Sequence, residues 1–482
     1  MNISLSILEI AVVLIGVALL LLDLWTSPQR KHLLGYLGAG ALGLVLLGSF
    51  FVPVGDAPQT AFAGMFVHDH LAIFFKQLFL LAAIAVLLLS VEFAPRFQTG
   101  VSEFYTLTVF ALSGMMFAAS ANNFVMVFVS LELVTITFYI LTSFLKNRMS
   151  SLEAGVKYLI LGALSSAFLV YGIALVYGVS GSMSFADIAA KPELTLESNI
   201  FKLGLLFILA GLGFKVAAFP YQIWVPDVYQ GAPTPATAFL AIGSKATGFV
   251  LILRVLHSAV PELALNWELL FMVIAAITIL YGNLCALPQR NLKRLLGYSS
   301  VANAGYLLMG IAALSPAGSS AILYYLGGYL FTVITAFTVI IMVSKTTGTE
   351  DISSLAGLNE RSPFLAFAMT LSMVSLAGIP PLAGFFGKFL LVRAVIEQAS
   401  SYSAYYLLAG VAVVGVAISI YYYFGVIRTI YWSKDPADTT PIATPTPIRL
   451  TVIAGIVGML YLGTMPDAAL KLAEAAAASL QF

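Results

Sequence analysis

An all-α polytopic membrane fold is predicted by three features of the sequence. Hydrophobic residues make up 60% of the 482 and charged residues only 9%. A soluble domain carries about 25% charged residues, so this chain has too little polar surface to dissolve. Its apolar residues are gathered into repeated runs of about 20, the length that crosses a hydrocarbon core. The longest polar stretches, 179–199 and 432–447, read as ordinary loops, so the whole of 1–482 forms a single integral membrane domain.

About fourteen transmembrane helices can be placed in order, at approximately 3–24, 32–51, 70–92, 103–119, 123–145, 152–178, 200–219, 233–259, 267–287, 295–314, 320–343, 362–399, 404–431 and 448–466. No signal peptide stands apart from the first, which reads as a retained helix. The 39 glycines allow close contact between helices. The twelfth segment is too long for one straight crossing and contains LAGIPPLAGFFGKFLLV, residues 376–392. Proline removes a backbone donor and clashes with the preceding turn, so this segment reads as two half-helices joined around Gly378–Gly384. Non-helical backbone at membrane depth is tolerated only where protein or a water-filled cavity satisfies it. The seventh segment carries a similar interruption, FPYQIWVPDVYQGAPTP, with Pro220 and Pro226. A pair of interrupted spans in corresponding positions marks the inverted repeats of many transporters.

Basic residues set the orientation. Alternate loops carry Arg30, Lys31, Arg96, Lys146, Arg148, Arg290, Lys293, Arg294, Lys345, Arg361, Arg428, Lys434 and Arg449, thirteen of the 23 basic residues. The opposite loops show Lys191, Lys202 and Lys471. By the positive-inside rule both termini face outward.

Several function classes are excluded. A net charge of +1 offers nothing to nucleic acid. One cysteine, Cys285, permits neither an intramolecular disulfide nor a cysteine-ligated iron–sulfur cluster. His68 and His70 flank Asp69 in what reads as a solvated loop rather than a metal site. GFFGKF lacks the spacing and the hydroxyl residue of a phosphate loop, and no dinucleotide fingerprint is present. The chain is expected to bind no cofactor.

Against this background, mid-span charges stand out. Glu132 lies within NNFVMVFVSLELVTITF, Lys215 within LAGLGFKVAAFPYQIW, Lys245 within FLAIGSKATGFVLIL, and Lys388 in the interrupted twelfth segment. Ionisable residues in a bilayer are functional candidates and face a bundle interior or water. One glutamate paired with one lysine would serve as a static bridge, but three lysines leave positive charge unbalanced. Burial disfavours the charged form of an amine and a nearby carboxylate favours it. A spaced series of such groups, joined by waters and hydroxyls, makes a proton relay. Ser244, Thr247, Ser165 and Ser166 are candidate hydroxyl neighbours. On this reading each helix break opens toward a hydrated cavity that makes its lysine tolerable. Lys157, four residues after Glu153, reads equally as snorkelling support or relay entrance. Lys76, Glu103, Arg254 and Arg393 sit near span ends, where snorkelling is the plain explanation.

FKVAAFPYQIWVPDVYQGAPTP, LKRLLGYSSVANAGYL and SLAGIPPLAGFFGKF closely resemble the antiporter-like membrane subunits of bacterial respiratory complex I, the proton-pumping NADH–quinone oxidoreductase. The likeness runs from about residue 60 to 430, and PDVYQGAP is similar to the N-type chains in particular. The resemblance implies two inverted five-helix repeats, roughly 103–259 and 267–431, each with one broken helix. It implies that Glu132 pairs with Lys215, that Lys245 is the central relay lysine, that Lys388 is the lysine near the outward exit, and that Lys157 has a role on the sixth helix. Gln222 and Asn303 stand where many relatives place histidine, and neither titrates near neutral pH. The implied setting is the bacterial inner membrane, beside other membrane-arm subunits and neighbouring antiporter-like chains, with NADH, FMN, iron–sulfur clusters and quinone handled by other subunits. A subunit of a multisubunit cation/proton antiporter or of a membrane-bound hydrogenase is the alternative, and a purely structural scaffold a more distant one.

Overall fold

In a computed structural model, residues 3–55, 57–97, 99–433 and 440–480 are described. Lys434, one of the basic loop residues above, lies outside them. Among the described residues thirteen helices are long and apolar enough to cross a membrane. They are Ile3–Trp25, His32–Ser49, His70–Arg96, Val101–Ala119, Phe124–Thr142, Met149–Ser180, Asn199–Gly231, Thr234–Ala259, Glu268–Ala286, Leu292–Ala312, Pro316–Thr347, Ala404–Trp432 and Thr446–Thr464. The remaining expected crossing is the interrupted one, split into Pro363–Ala377 and Ala383–Gln398. Counted in chain order with that pair as span 12, these are spans 1 to 14 below.

The polar stretch expected as a loop at 179–199 instead folds in part, as Phe185–Ala189 and Pro192–Glu197. Two further elements were not anticipated. A short antiparallel hairpin pairs Gln59–Ala61 with Phe66–His68, and an amphipathic helix, Asp467–Ala477, follows span 14.

Local chemistry fixes where the spans begin. Asp69 caps span 3 by accepting from the Ala72 amide at 2.8 Å. Asn123, Asn291 and Ser315 do the same for spans 5, 10 and 11 at 2.7, 3.1 and 3.1 Å. Each satisfies an amide that the first helical turn leaves unpaired. Gly181 and Gly348 close spans 6 and 11 in the left-handed conformation that suits glycine.

Both interruptions are present. Span 7 runs as Asn199–Val216, stops at Ala217 with φ +63°, and resumes through a tight turn, Tyr221–Trp224, into Val225–Gly231. Polar groups freed by the break find partners: the Trp224 indole donates to the Phe214 carbonyl at 3.0 Å and the Phe219 amide to Thr278 Oγ1 at 3.0 Å. Span 12 stops at Gly378, φ +82°, and restarts at Ala383. A Cβ at Gly384 would lie 1.8 Å from the Ser375 carbonyl oxygen, so only glycine lets the two halves meet this closely. The peptides Phe219–Pro220 and Pro380–Pro381, one in each break, are cis.

Spans 8, 10 and 11 are almost wholly buried, whereas spans 1, 2, 6, 13 and 14 present broad apolar faces outward. Span 8 is not a plain α-helix. Two π-helical turns, Leu240–Ser244 and Val255–Ala259, bracket Lys245–Arg254. Such bulges re-aim side chains and recur at functional sites.

Candidate functional site

The four mid-span charges fall along the buried interior, but not in the pairing expected. Glu132, half-buried on span 5, accepts a short hydrogen bond from Ser166 of span 6. One turn further along span 5, Thr135 accepts from Lys215 Nζ at 2.5 Å and donates to the Leu131 carbonyl at 2.7 Å. Glu132 and Lys215 form no ion pair within 4.0 Å, so the pairing expected between them is open in this structure. The physical reason is local: neutral hydroxyls on spans 5 and 6 occupy the groups that the two charges would offer each other.

Span 8 approaches Lys215 through a glycine. A Cβ at Gly248 would lie 3.2 Å from the Lys215 Cβ and 2.6 Å from Val216. Gly248 is three residues after Lys245, on the same side of the helix. Lys245 Nζ donates to the Ser300 carbonyl at 2.5 Å and makes a short bond to the Ser300 hydroxyl. Tyr229, from the second half of span 7, stands 3.1 Å from that hydroxyl. Of the neighbours expected for Lys245, Thr247 turns back on its own helix to the Gly243 carbonyl at 2.8 Å. The partner that sequence reasoning missed is across the interface, in LKRLLGYSSVANAGYL.

That same segment carries the connection onward. Ser299 meets the Tyr423 hydroxyl at 2.5 Å, Asn303 Nδ2 reaches Ser299 Oγ at 3.4 Å, and Tyr325 donates to Asn303 Oδ1 at 2.6 Å. The Tyr325 ring packs on Gly387, where a Cβ would come within 2.6 Å of it, and the next residue is Lys388. Lys388 Nζ donates to the Leu376 carbonyl at 2.7 Å and lies 4.6 Å from the Tyr306 ring centre. Leu376 belongs to the last turn before the break, whose carbonyls lack helical partners and carry the negative end of the helix dipole. Gly378 admits the lysine, since a Cβ there would meet Lys388 Cδ at 3.0 Å. The polar backbone freed by the break thus reaches Lys388 directly.

Lys157 is outside this buried line. It pairs with Glu153 and Asp227, each at 2.7 Å, and Asp227 also pairs with Arg294 at 2.5 Å. These groups edge a cavity of about 400 Å³ that Arg148 and Gln230 also line. Gln222 is buried, and its Oε1 has no hydrogen-bond partner among the described residues.

Two residues assigned to snorkelling are instead deeply buried in ion pairs. Lys76 meets Glu9 of span 1 at 2.7 Å with both side chains fully enclosed. Arg254 holds Asp69 at 2.6 and 2.8 Å and also donates to the Ala119 carbonyl. Burial raises the Asp69 carboxyl, but the Arg254 guanidinium, helped by the Ala72 amide and Lys76, holds the group below the usual carboxylate range. The His68–Asp69 segment, expected to be solvated, is buried. Arg393 is exposed and pairs with Glu397 at 2.7 Å, and Glu103 is exposed, in keeping with span-end positions. Among the described residues no three His, Cys, Asp or Glu side chains are grouped to hold a metal ion.

Buried lysines, two interrupted helices and, among the described residues, thirteen helices long and apolar enough to cross a membrane fit an antiporter-like membrane subunit, and residues 121–419 match the family described as NADH:quinone oxidoreductase/Mrp antiporter, transmembrane. The chain is 41% identical, over the full length of both, to NADH-quinone oxidoreductase subunit N of Heliobacterium modesticaldum. It is 38% identical to that of Moorella thermoacetica, with 96% of each covered. The chain belongs to the family of NADH-quinone oxidoreductase subunit N, a proton-translocating, antiporter-like membrane subunit of complex I. Its fold is similar to a chain of respiratory complex I from Thermus thermophilus with bound aureothin, at TM-score 0.81 and 34% identity over 97% of this chain and 100% of that one. A chain of the Mrp complex from Dietzia sp. DQ12-45-1b superposes with TM-score 0.87 at 21% identity, covering 100% of this chain and 98% of that one. That second likeness shows the fold alone.

Proposed function

We propose that protons cross this subunit along Glu132, Lys215, Lys245 and Lys388, with Lys157 at the mouth of the entrance, driven by redox chemistry in other subunits. The observation that carries this reading is the set of partners the three buried lysines keep. Lys215, Lys245 and Lys388 rest on neutral hydroxyl and carbonyl oxygens rather than on carboxylates. A static scaffold would pair them. Ser300, Ser299, Asn303 and Tyr325 supply groups that pass a proton between Lys245 and Lys388 without titrating near neutral pH. This supports a relay in which Asn303 needs no histidine, with waters completing the gaps.

The driving step is closure and opening of the Glu132–Lys215 pair. Closure requires Glu132 to leave Ser166 and Lys215 to leave Thr135. A unit charge pair at about 4 Å is worth about 4 kcal/mol at an effective dielectric of 20. Moving one charge against 100 mV costs about 2.3 kcal/mol. Modulating this one pair is therefore sufficient for one proton. Opening it lowers the proton affinity of Lys215 and sends the proton toward Lys245, then Lys388 and outward.

The broken helix in each half supports two inverted repeats over roughly 103–259 and 267–431. The basic loops support a chain with both termini outward in the bacterial inner membrane. The partners are the other membrane-arm subunits and the adjacent antiporter-like chains, and the nucleotide, flavin, clusters and quinone sit in other subunits of the complex. The test is NADH-driven proton pumping in membrane vesicles, comparing wild type with Lys388→Ala, with assembly followed by native gel. An assembled complex with a lower proton-to-electron ratio supports the relay. Unchanged assembly and pumping would remove Lys388 from it.

A further inference from the structure

One cavity outside the relay has an unusual charge balance. It encloses about 610 Å³ where three segments far apart in sequence meet. These are the end of span 3 with Arg96, the connection between spans 5 and 6 with Lys146 and Arg148, and the end of span 11 with Lys345. Four basic side chains line it, against one acid, Glu350.

That carboxylate is already engaged: it pairs with Lys293 at 3.1 Å and accepts from Thr234 at 3.3 Å. Lys345 is matched by Glu92. Arg96 donates to the Ser344 hydroxyl at 3.1 Å, has the Glu350 carboxylate near it without a direct ion pair, and lies 4.9 Å from the Phe93 ring centre, which fixes its direction. For the side chains of Lys146 and Arg148, both exposed, no ion pair or hydrogen bond is described. Arg96, Lys146 and Arg148 therefore share the cavity with one carboxylate, Glu350, which already pairs with Lys293, and leave an excess of positive charge. Beneath them the lining is apolar. Phe97 packs against Phe144 at 5.3 Å and against Phe104 at 4.7 Å between ring centres, and Leu145 completes this wall.

We propose that this cavity binds the phosphate of an anionic phospholipid, with the start of an acyl chain against the Phe97–Phe144 wall. The cations alone would suit any phosphate anion. The aromatic wall decides for a lipid, because free phosphate gains nothing from it. Basic pockets between spans at the membrane surface hold anionic headgroups, each basic side chain contributing about fivefold in affinity. A lipid seated here bridges span 3, the span 5–6 connection and span 11, tying the N-terminal spans to both halves of the chain. This inference is independent of the relay.

The test uses the purified whole complex exchanged into dioleoylphosphatidylglycerol or dioleoylphosphatidylcholine, each doped with a matching probe that carries a photoreactive group on the acyl chain. Peptides containing Phe97 or Phe144 are expected to be labelled by the phosphatidylglycerol probe and weakly by the phosphatidylcholine probe. Lys146→Ala/Arg148→Ala should cut the phosphatidylglycerol labelling by about twenty-five-fold, the product of a fivefold contribution from each basic residue. Arg148→Lys should largely keep it. Equal labelling by the two lipids, or labelling indifferent to the substitutions, overturns the proposal. Loss of labelling when inorganic phosphate is added assigns the site to soluble phosphate and likewise overturns it. A neighbouring subunit lost from the double variant while labelling persists would make the surface a protein contact instead. Native gels in the same preparations report assembly. Should the double variant not assemble, Lys146→Gln at an exposed position carries the same comparison, with about a fivefold loss expected.

Discussion

Two sets of buried charge in this chain are built in opposite ways. In spans 1 and 3 and at the far end of span 8, every buried cation has a carboxylate: Lys76 has Glu9 and Arg254 has Asp69. Along the interior of spans 5, 7, 8, 10 and 12, Lys215, Lys245 and Lys388 have only neutral oxygens. The first arrangement is closed and stays put. The second leaves each lysine with a partner that does not depend strongly on its charge, so the proton can leave without stranding a carboxylate. On the proposed relay, therefore, the partner and not burial alone separates the proton-carrying residues from the structural ones.

The comparison predicts its largest effect at the closed pair. Removing one member of a buried ion pair leaves an uncompensated charge and costs about 3–5 kcal/mol. Lys76→Ala is expected to abolish assembly of the subunit into the complex, as read on a native gel. The double replacement Glu9→Leu/Lys76→Met should restore it, because apolar residues of similar volume tolerate such sites. Assembly unaffected by the single change would mean that this pair holds nothing, and the distinction between closed and open charge would fail.

At the open lysines the order of effects is reversed. Lys215→Ala should leave assembly intact, since no carboxylate is stranded in direct contact, and should abolish or sharply reduce NADH-driven proton pumping. Pumping at the wild-type level would break the relay at its first step. Lys245→Met sharpens the same point. It should assemble more completely than Lys76→Ala although both lysines are buried, while its proton-to-electron ratio falls.

Much of this architecture was legible in the sequence. Apolar runs gave the crossings, and Pro220, Pro226, Pro380 and Pro381 marked both interruptions, because proline cannot sit in a helix interior without a visible defect. The mid-span lysines were legible for the same reason, as rare residues in an apolar background. Partners were not. Glu9 lies near the start of span 1, where a carboxylate raises no alarm, and only tertiary packing brings Lys76 to it. Ser166 stands among the candidate hydroxyls without an assigned partner, and Thr135 is an ordinary hydroxyl in an ordinary helix; only packing sets them against Glu132 and Lys215 and keeps the two charges apart. Proximity in sequence misled for Lys245. Thr247 is two residues away but bonds its own helix, as buried threonines commonly do, and Ser300 is 55 residues distant.

The smallest expected effects test the neutral partners. Ser166→Ala removes a donor from Glu132, and a lost hydrogen bond to a charged group is worth about 1.5–3 kcal/mol. The freed carboxylate should turn toward Lys215 and favour the closed pair. Pumping should slow by at least roughly tenfold, the lower end of that range at 1.4 kcal/mol per factor of ten, with assembly unchanged. Tyr325→Phe keeps the ring on Gly387 and removes only the donor to Asn303. If Asn303 and Tyr325 form the step between Lys245 and Lys388, pumping should fall a fewfold. Asn303→His, which puts a titratable group at that step, should make the remaining rate depend on pH near the histidine range of about 6.5. A Tyr325→Phe complex that pumps normally, with an Asn303→His complex whose pH profile matches wild type, would route the proton past these residues. Lys388 would then be reached through water alone, and the distinction between closed and open charge would hold for the lysines but not for the hydroxyls between them.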